Sequence, residues 1–353
     1  MATLPTVSVL VPNYRHARYL PERLDSILAQ TVAPLEVILL DDHSPDESLS
    51  VLNRYAENRP DWRVVPNAHN SGSPFAQWNK GVEMARGDYV WIAESDDAAD
   101  PLLLETLLQT AAAHPTAVLV YAQTVLMDEE SRVLHSFQKN YDYLFGAQAE
   151  RWKTPYFNRG IDEIREYFIL HNVVPNASGA LMRRDAYLAA GGADPWYRLN
   201  GDWAFYTRLL EHGDIAYVPA PLNRFRVHAN TQRQAANANG AVYAELLELA
   251  DSIVTRHAPV HALRRKAYKN FATWWAHSLY RQDWSGPNAP TNRRTNRDLF
   301  FRFARVHPWV MLHIPYEGAV RLAVFGLEIV HLKKPLRKLL HRWFPNVFFE
   351  PTP

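Results

Sequence analysis

Apolar and polar positions follow two alternating rhythms through the first 120 residues. Short aliphatic and β-branched runs fall at Val7–Val11, Glu36–Leu40, Arg63–Val65, Tyr89–Ala93 and Ala117–Tyr121, the pattern of buried parallel strands. Helical segments separate them at Pro21–Gln30, Asp46–Asn58, Pro74–Arg86 and Leu102–His114. Strands alternating with helices at this spacing predict βαβ units and an α/β fold with a mostly parallel sheet. Ser44-Pro45, Ser73-Pro74 and Asp100-Pro101 each read as a helix start, an oxygen-bearing cap followed by a proline that loses no hydrogen bond there. Glu47, three residues after Ser44, completes a capping box.

After Tyr121 the rhythm changes. Thr124–Met127 and Arg132–Phe137 predict a hairpin, and 138–160 is aromatic-rich and irregular. A helix at Asp162–His171, a strand at Ser178–Arg183 and a short helix ending at Gly191-Gly192 follow. Then come a helix at Asp202–Glu211 and strands at Ile215–Pro219 and Arg224–His228. Residues 229–240 have linker composition. From Ala241 the chain reads as helices, including Ala262–Arg281 and Tyr316–Trp343. Two regions are thus expected, an α/β domain over 1–230 and a helical C-terminal region over 241–353.

Composition narrows the function. The chain has 353 residues, 47% hydrophobic and 21% charged, which suits a globular protein and argues against disorder. With no cysteine, disulfides, thiolate metal sites and cysteine nucleophiles are excluded, and a reducing, cytoplasmic setting fits. The first residues, MATLPTVSVLVPNY, carry no basic stretch before their apolar run and do not read as a signal peptide. The most apolar later stretch, Val310 to Val330, is broken by Glu317, Arg321 and Glu328, so no membrane span is expected. Charge is uneven: Arg293 to Arg342 holds eleven lysines and arginines against three acids.

Ligands of open α/β sheets bind beyond the carboxyl ends of the strands. Four polar clusters fall there: Pro12-Asn13-Tyr14, Asp41-Asp42, Asn70-Ser71-Gly72 and Glu94-Ser95-Asp96-Asp97. Three carboxylates in four residues repel one another unless something compensates, and hard oxygens suit Mg²⁺ or Mn²⁺ bridging to phosphates. A solvated acidic loop is the plainer reading of that run. The capping box is expected to free Asp41 and Asp42, one of which could accept the N3–H of uracil or thymine with Tyr14 stacking on the ring. No G-x-G-x-x-G or P-loop occurs, which weighs against dinucleotide enzymes and P-loop NTPases. Asp202, in the first turn of its helix, reads either as a base or as a dipole-compensating charge. His228 ends its strand, and a lone histidine is seldom a ligand.

The stretches VSVLVPNYRHARYLPERLDSILAQT, LEVILLDDHSPDES, NSGSPFAQWNKGVEMARGDYVWIAESDD, SGALMRRDAYLAAGG and NGDWAFYTRLLEHG resemble glycosyltransferase family 2, the inverting enzymes of the GT-A fold. The resemblance implies that Pro12, Asn13 and Tyr14 line the nucleoside pocket, that Asp42 reads the pyrimidine, and that Gly72 and Asn79 lie beside the nucleotide. It places Asp96, with Glu94 and His228, at a divalent cation, Asp97 at the donor sugar and Asp202 as the catalytic base. Glu94 departs from the family's usual Asp, and Gly201 from the acid that often precedes the base. Gln77-Trp78-Asn79-Lys80 and the WIAESDD run resemble a subgroup tied to bacterial surface polysaccharides.

The expected activity is transfer of a sugar from a UDP- or dTDP-sugar to a hydroxyl of a saccharide or lipid-linked acceptor. The alternatives are an inactive homologue acting as a scaffold, a nucleotidyltransferase, which lacks its basic glycine-rich loop here, and a nucleic-acid binder prompted by Trp274, Trp275 and Trp284. No nucleic acid partner is expected. The basic, apolar segment His331–Trp343 reads either as a helix on an anionic membrane surface, making the protein peripheral, or as one packed on the catalytic domain or another subunit of a homo-oligomer.

Overall fold

The computed structural model describes residues 4–228, 241–280 and 289–309, together with Leu312, Ile314 and Pro315. The chain divides after His228 into two compact units. The linker 229–240, Trp284 and the segments 316–343 and Val310 to Val330, apart from those three residues, lie outside the described residues.

The first unit is built on a ten-stranded sheet. Its strands are β1 (Val7–Asn13), β2 (Glu36–Asp41), β3 (Trp62–Pro66), β4 (Tyr89–Ile92), β5 (Ala98–Ala99), β6 (Ala117–Met127), β7 (Val133–Ser136), β8 (Tyr156–Asn158), β9 (Ala180–Arg183) and β10 (Asp214–Arg226). The order along the sheet is β3-β2-β1-β4-β9-β6-β10-β5, with β7 on β6 and β8 on β10. The pairs β3–β2, β2–β1, β1–β4 and β6–β10 are parallel, and β9 runs antiparallel between β4 and β6. Strands β1 and β2 are buried at every position, which is why they read as unbroken apolar runs rather than alternating ones. Helices α1 (Leu20–Leu28), α2 (Ser48–Ala56), α3 (Pro74–Met84) and α4 (Leu103–Ala113) supply the crossovers.

Four local expectations are corrected. The two segments at Ala117–Tyr121 and Thr124–Met127 are one strand, β6. Ile215–Pro219 and Arg224–His228 likewise fuse into β10, whose register shifts around Pro221 absorb the missing N–H of the prolines. Helix α2 starts at Ser48, not after Ser44, and Asp46 Oδ1 accepts the Ser48 N–H at 3.1 Å. Ser44 Oγ faces the first loop instead, accepting the Arg15 N–H at 3.1 Å, so the capping box does not form. The helix expected over Asp162–His171 is a short turn, α6 (Gly160–Glu163), continued as a π-helical turn over Ile164–Phe168.

Helices α5 (Gln138–Phe145), α7 (Arg184–Ala189) and α8 (Gly201–Leu209) complete the first unit. The second unit contains α9 (Ala241–His257), α10 (His261–Leu279) and α11 (Ala289–Val306). There Trp275 is buried, stacked on Phe303 at 5.3 Å, and its Nε1–H donates to Asn296 Oδ1 at 2.8 Å. That tryptophan is core, which removes it from the nucleic-acid reading.

Candidate active site

Parallel pairing brings the ends of β1 and β2 level, with Asn13 opposite Asp41, and β4 ends beside them at Ile92. The loops after these strands therefore share one edge of the sheet. Two residues there, Arg15 (φ 62°) and His43 (φ 60°), hold left-handed backbone without being glycine, a strain that clusters at functional sites. Tyr14 is 42% exposed and open for stacking, while Pro12 and Asn13 are buried behind it.

The aspartates at this edge are not free. Asp41 accepts from Asn13 Nδ2 at 2.9 Å and from the Ser44 N–H at 3.0 Å. Asp42 takes four donors: Asn67 Nδ2 (2.6 Å), Ser71 N–H (2.8 Å), Ser71 Oγ (2.8 Å) and Gln77 Nε2 (2.9 Å). Its carboxylate thus holds the 67–77 loop together. Gly72 takes φ 70° in that loop, with only the Asn70 oxygen near its side-chain direction. Asn79 faces the other way. It donates to the Ala193 carbonyl at 2.7 Å and accepts from the Ala193 N–H and the Tyr187 hydroxyl. Its oxygen would lie 2.7 Å from a Cβ at Gly192 (φ 73°), so Asn79 fixes the Gly191-Gly192 turn.

The acidic turn after β4 splits its three carboxylates. Glu94 accepts the indole N–H of Trp78 at 2.9 Å, and burial followed by the charges of Asp96 and Asp97 pushes its carboxyl up to about 8. Asp97, 1% exposed, accepts from Asn176 Nδ2 and from the Arg226 N–H, and burial with the neighbouring Asp96 raises it to about 7. Asp96, partly open, meets an imidazole. His228 Nε2 lies 2.8 Å from its Oδ2, and their side chains are 20% and 19% exposed. Burial pushes Asp96 upward, but the His228 hydrogen bond outweighs it and holds Asp96 low. The same hydrogen bond raises His228. Among the described residues no three acids or histidines are arranged as a metal cage.

Two buried arginines, neither singled out in the sequence, carry the backbone of this turn. Arg23 Nε donates to the Glu94 carbonyl at 2.8 Å, and Arg226 Nε to the Asp96 carbonyl at 2.7 Å. Both side chains have 0% exposure. Arg23 also stands 4.0 Å from Asp97, giving a fixed internal cation beneath the acids.

Asp202 sits in the first turn of α8, as expected. Oδ1 accepts its neighbour's N–H, from Trp203, at 2.7 Å, and Oδ2 accepts Asn172 Nδ2 at 3.0 Å. Asn172 and Asn176 belong to one segment, HNVVPN, whose two amides reach Asp202 and Asp97 in turn. That segment ties the helix bearing Asp202 to the acidic turn. Its signal was two carboxamides flanking an apolar Val-Val-Pro. Gly201 has a steric cause: a Cβ there would stand 2.4 Å from the Phe75 ring.

The family model for glycosyl transferase family 2 matches residues 8–188. The chain belongs to that family. This family 2 chain is 27% identical over 233 residues to an uncharacterized glycosyltransferase of Haemophilus influenzae, covering 65% of itself and 68% of that relative. It is 31% identical over 198 residues to the glucosyl-dolichyl phosphate glucuronosyltransferase of Haloferax volcanii, covering 56% of itself and 58% of the relative. Other curated relatives are spanned over less than two thirds of their length, chondroitin synthase of Pasteurella multocida over 12%. Residues 1–349 of S. aureus TarS in complex with UDP-GlcNAc match with a TM-score of 0.62 at 14% identity, over 89% of this chain and 90% of that one. A mannosyltransferase of Pyrobaculum calidifontis in complex with GDP-Man and Mn²⁺ matches with a TM-score of 0.52 at 17% identity, over 98% and 82%. These likenesses show the fold, GT-A with a helical C-terminal region. No helix among the described residues is long and apolar enough to cross a membrane.

Proposed function

We propose that this chain is an inverting, cation-dependent glycosyltransferase using a UDP- or dTDP-sugar and a hydroxyl of a saccharide or lipid-linked acceptor, in the synthesis of bacterial cell-surface polysaccharide. The observation that carries the reading is the pairing of Asp96 with His228, together with an Asp202 held by Asn172 on the segment whose Asn176 reaches Asp97 in the same acidic turn. An acid and an imidazole, side by side and partly open, fit Mn²⁺ better than Mg²⁺, which prefers oxygen. Asp96 and His228 are the residues that would hold it. When bound, the cation neutralises charge gathering on the leaving diphosphate.

The remaining work falls to side chains. Asp202 Oδ2 is oriented by Asn172 and removes the acceptor hydroxyl proton. The acceptor oxygen bonds to the anomeric carbon as the bond to the diphosphate breaks, so one displacement inverts that centre. Tyr14 offers a face to the base, and Asp42 keeps the 67–77 loop around it in shape. The UDP-GlcNAc and GDP-Man complexes of the structural neighbours support a nucleotide-sugar donor.

The test is calorimetric titration of UDP, then dTDP and GDP, with and without Mn²⁺. Mn²⁺-dependent binding of UDP or dTDP is the expected result; binding of none by folded protein favours an inactive scaffold. A second proposal concerns the basic region from Arg293. Phe301 and Trp309, both 64% exposed, support contact with an anionic membrane surface. Co-sedimentation of the full chain with phosphatidylglycerol but not phosphatidylcholine vesicles is expected, and equal recovery with both refutes it.

A further inference from the structure

His16 lies in the loop between β1 and α1, outside every role assigned so far. Its imidazole stands against the acidic turn, with Nδ1 2.8 Å from Ser95 Oγ. The ring stacks with that of His228 at 6.1 Å and meets Tyr19 edge-on at 6.0 Å. Two aromatic rings and a buried serine therefore fix the orientation of a half-buried histidine beside the acidic turn.

The tautomer follows from the serine. Ser95 is 2% exposed, and His16 Nδ1 is the hydrogen-bond partner of its hydroxyl. If Nδ1 carried the proton, the buried Ser95 O–H would be left without an acceptor, a cost of about 1–3 kcal/mol. Ser95 therefore donates, Nδ1 accepts, and the ring proton resides on Nε2. Among the described residues, Nε2 has no hydrogen-bond partner. An oriented N–H donor, half-buried and unpaired, suits an anion and is the wrong end of an imidazole for a cation.

We propose that His16 Nε2–H binds an oxygen of the terminal phosphate of the nucleoside diphosphate, making it a leaving-group residue. The inference rests on the donor reading given above. In transfer, the acceptor oxygen bonds to the anomeric carbon while the carbon–oxygen bond to the diphosphate breaks. The electron pair passes to that phosphate oxygen, and the His16 hydrogen bond strengthens as charge grows there. No proton leaves His16 in this step.

The experiment is calorimetry on the full chain with Mn²⁺, comparing UDP with UMP for wild type, His16→Phe and His16→Gln. Where wild type prefers dTDP or GDP, that nucleotide and its monophosphate replace the uridine pair. His16→Phe is expected to weaken diphosphate binding roughly tenfold and to leave monophosphate binding within about twofold. His16→Gln, which keeps an N–H donor, recovers part of the loss. Mn²⁺ affinity, read from the electron paramagnetic resonance of the free ion, stays unchanged. Equal loss for both nucleotides, no loss for either, or loss of Mn²⁺ binding overturns the proposal while leaving the donor reading intact. Wild type that binds no nucleotide overturns both.

Discussion

Replacing Asp202 by Asn separates chemistry from scaffolding, because the structure gives the stability cost independently. The carboxylate accepts from the Trp203 N–H at 2.7 Å and from Asn172 Nδ2 at 3.0 Å. An amide has one acceptor. With its oxygen kept on Trp203, its NH₂ meets the NH₂ of Asn172, donor against donor. Asn172 cannot turn round freely, since its Oδ1 accepts the Val174 N–H at 3.1 Å. Asp202→Asn should therefore lose one half-buried hydrogen bond, about 1 kcal/mol, or about 2–4 °C in Tm for a unit of this size. Adding Asn172→Asp repairs the pair, since the new carboxylate at 172 accepts from both Val174 and the new amide. Tm should return to within about 1 °C of wild type. Transfer, followed as release of nucleoside diphosphate from the donor sugar, should fall by about 10²–10⁴-fold in Asp202→Asn and stay down in the double variant. Recovery of transfer alongside stability would refute a base role and make Asp202 a structural acceptor.

Three further outcomes are expected. Gly201→Ala should lower Tm by about 1–3 kcal/mol equivalent through the Phe75 clash, whereas helix propensity alone would raise it by up to about 1 kcal/mol, so the sign of the thermal shift decides. Glu94 has a carboxyl raised from 4.5 to about 8, so its native form resists ionising, and metal-free stability should fall as pH rises from 4.5 to 8. Glu94→Gln should be the more stable protein at pH 8, by a few kcal/mol at most, with the gap closing near pH 4.5; a constant gap in denaturant titrations refutes this. Burial lowers His171 from 6.5 to about 3, so the unfolded chain takes up a proton that the native state refuses, and stability is lost as pH falls from 6.5 towards 3. At pH 5 the loss is about 2 kcal/mol, and His171→Gln should remove it from the pH profile of unfolding.

What was legible in the sequence was whatever local spacing encodes. The unbroken apolar runs of β1, β2 and β4 and the intervening α1, α3 and α4 could be read because burial on both faces leaves a one-dimensional signature. The positions of Asp42, Asp96 and Asp202 at strand ends and in a helix turn followed from the same frame. β5 and β8, of two and three residues, were too short to leave any pattern.

Side-chain commitments were not legible, because each depends on a partner far along the chain. Glu94 turns to Trp78 on α3, Asp97 to Arg226 at the end of β10, and Asn79 to a turn more than a hundred residues later. A carboxylate's identity says that it will seek donors or a cation; only the packing of the sheet decides which reaches it first. Sequence by itself determined the family, the sheet edge and the acids that line it. Tertiary structure decided that, of the three acids in the turn, Asp96 is the one that meets an imidazole. The physical reason is that Arg23, Arg226, Trp78 and Asn176 converge there from four separate elements and bind the turn and its other two acids.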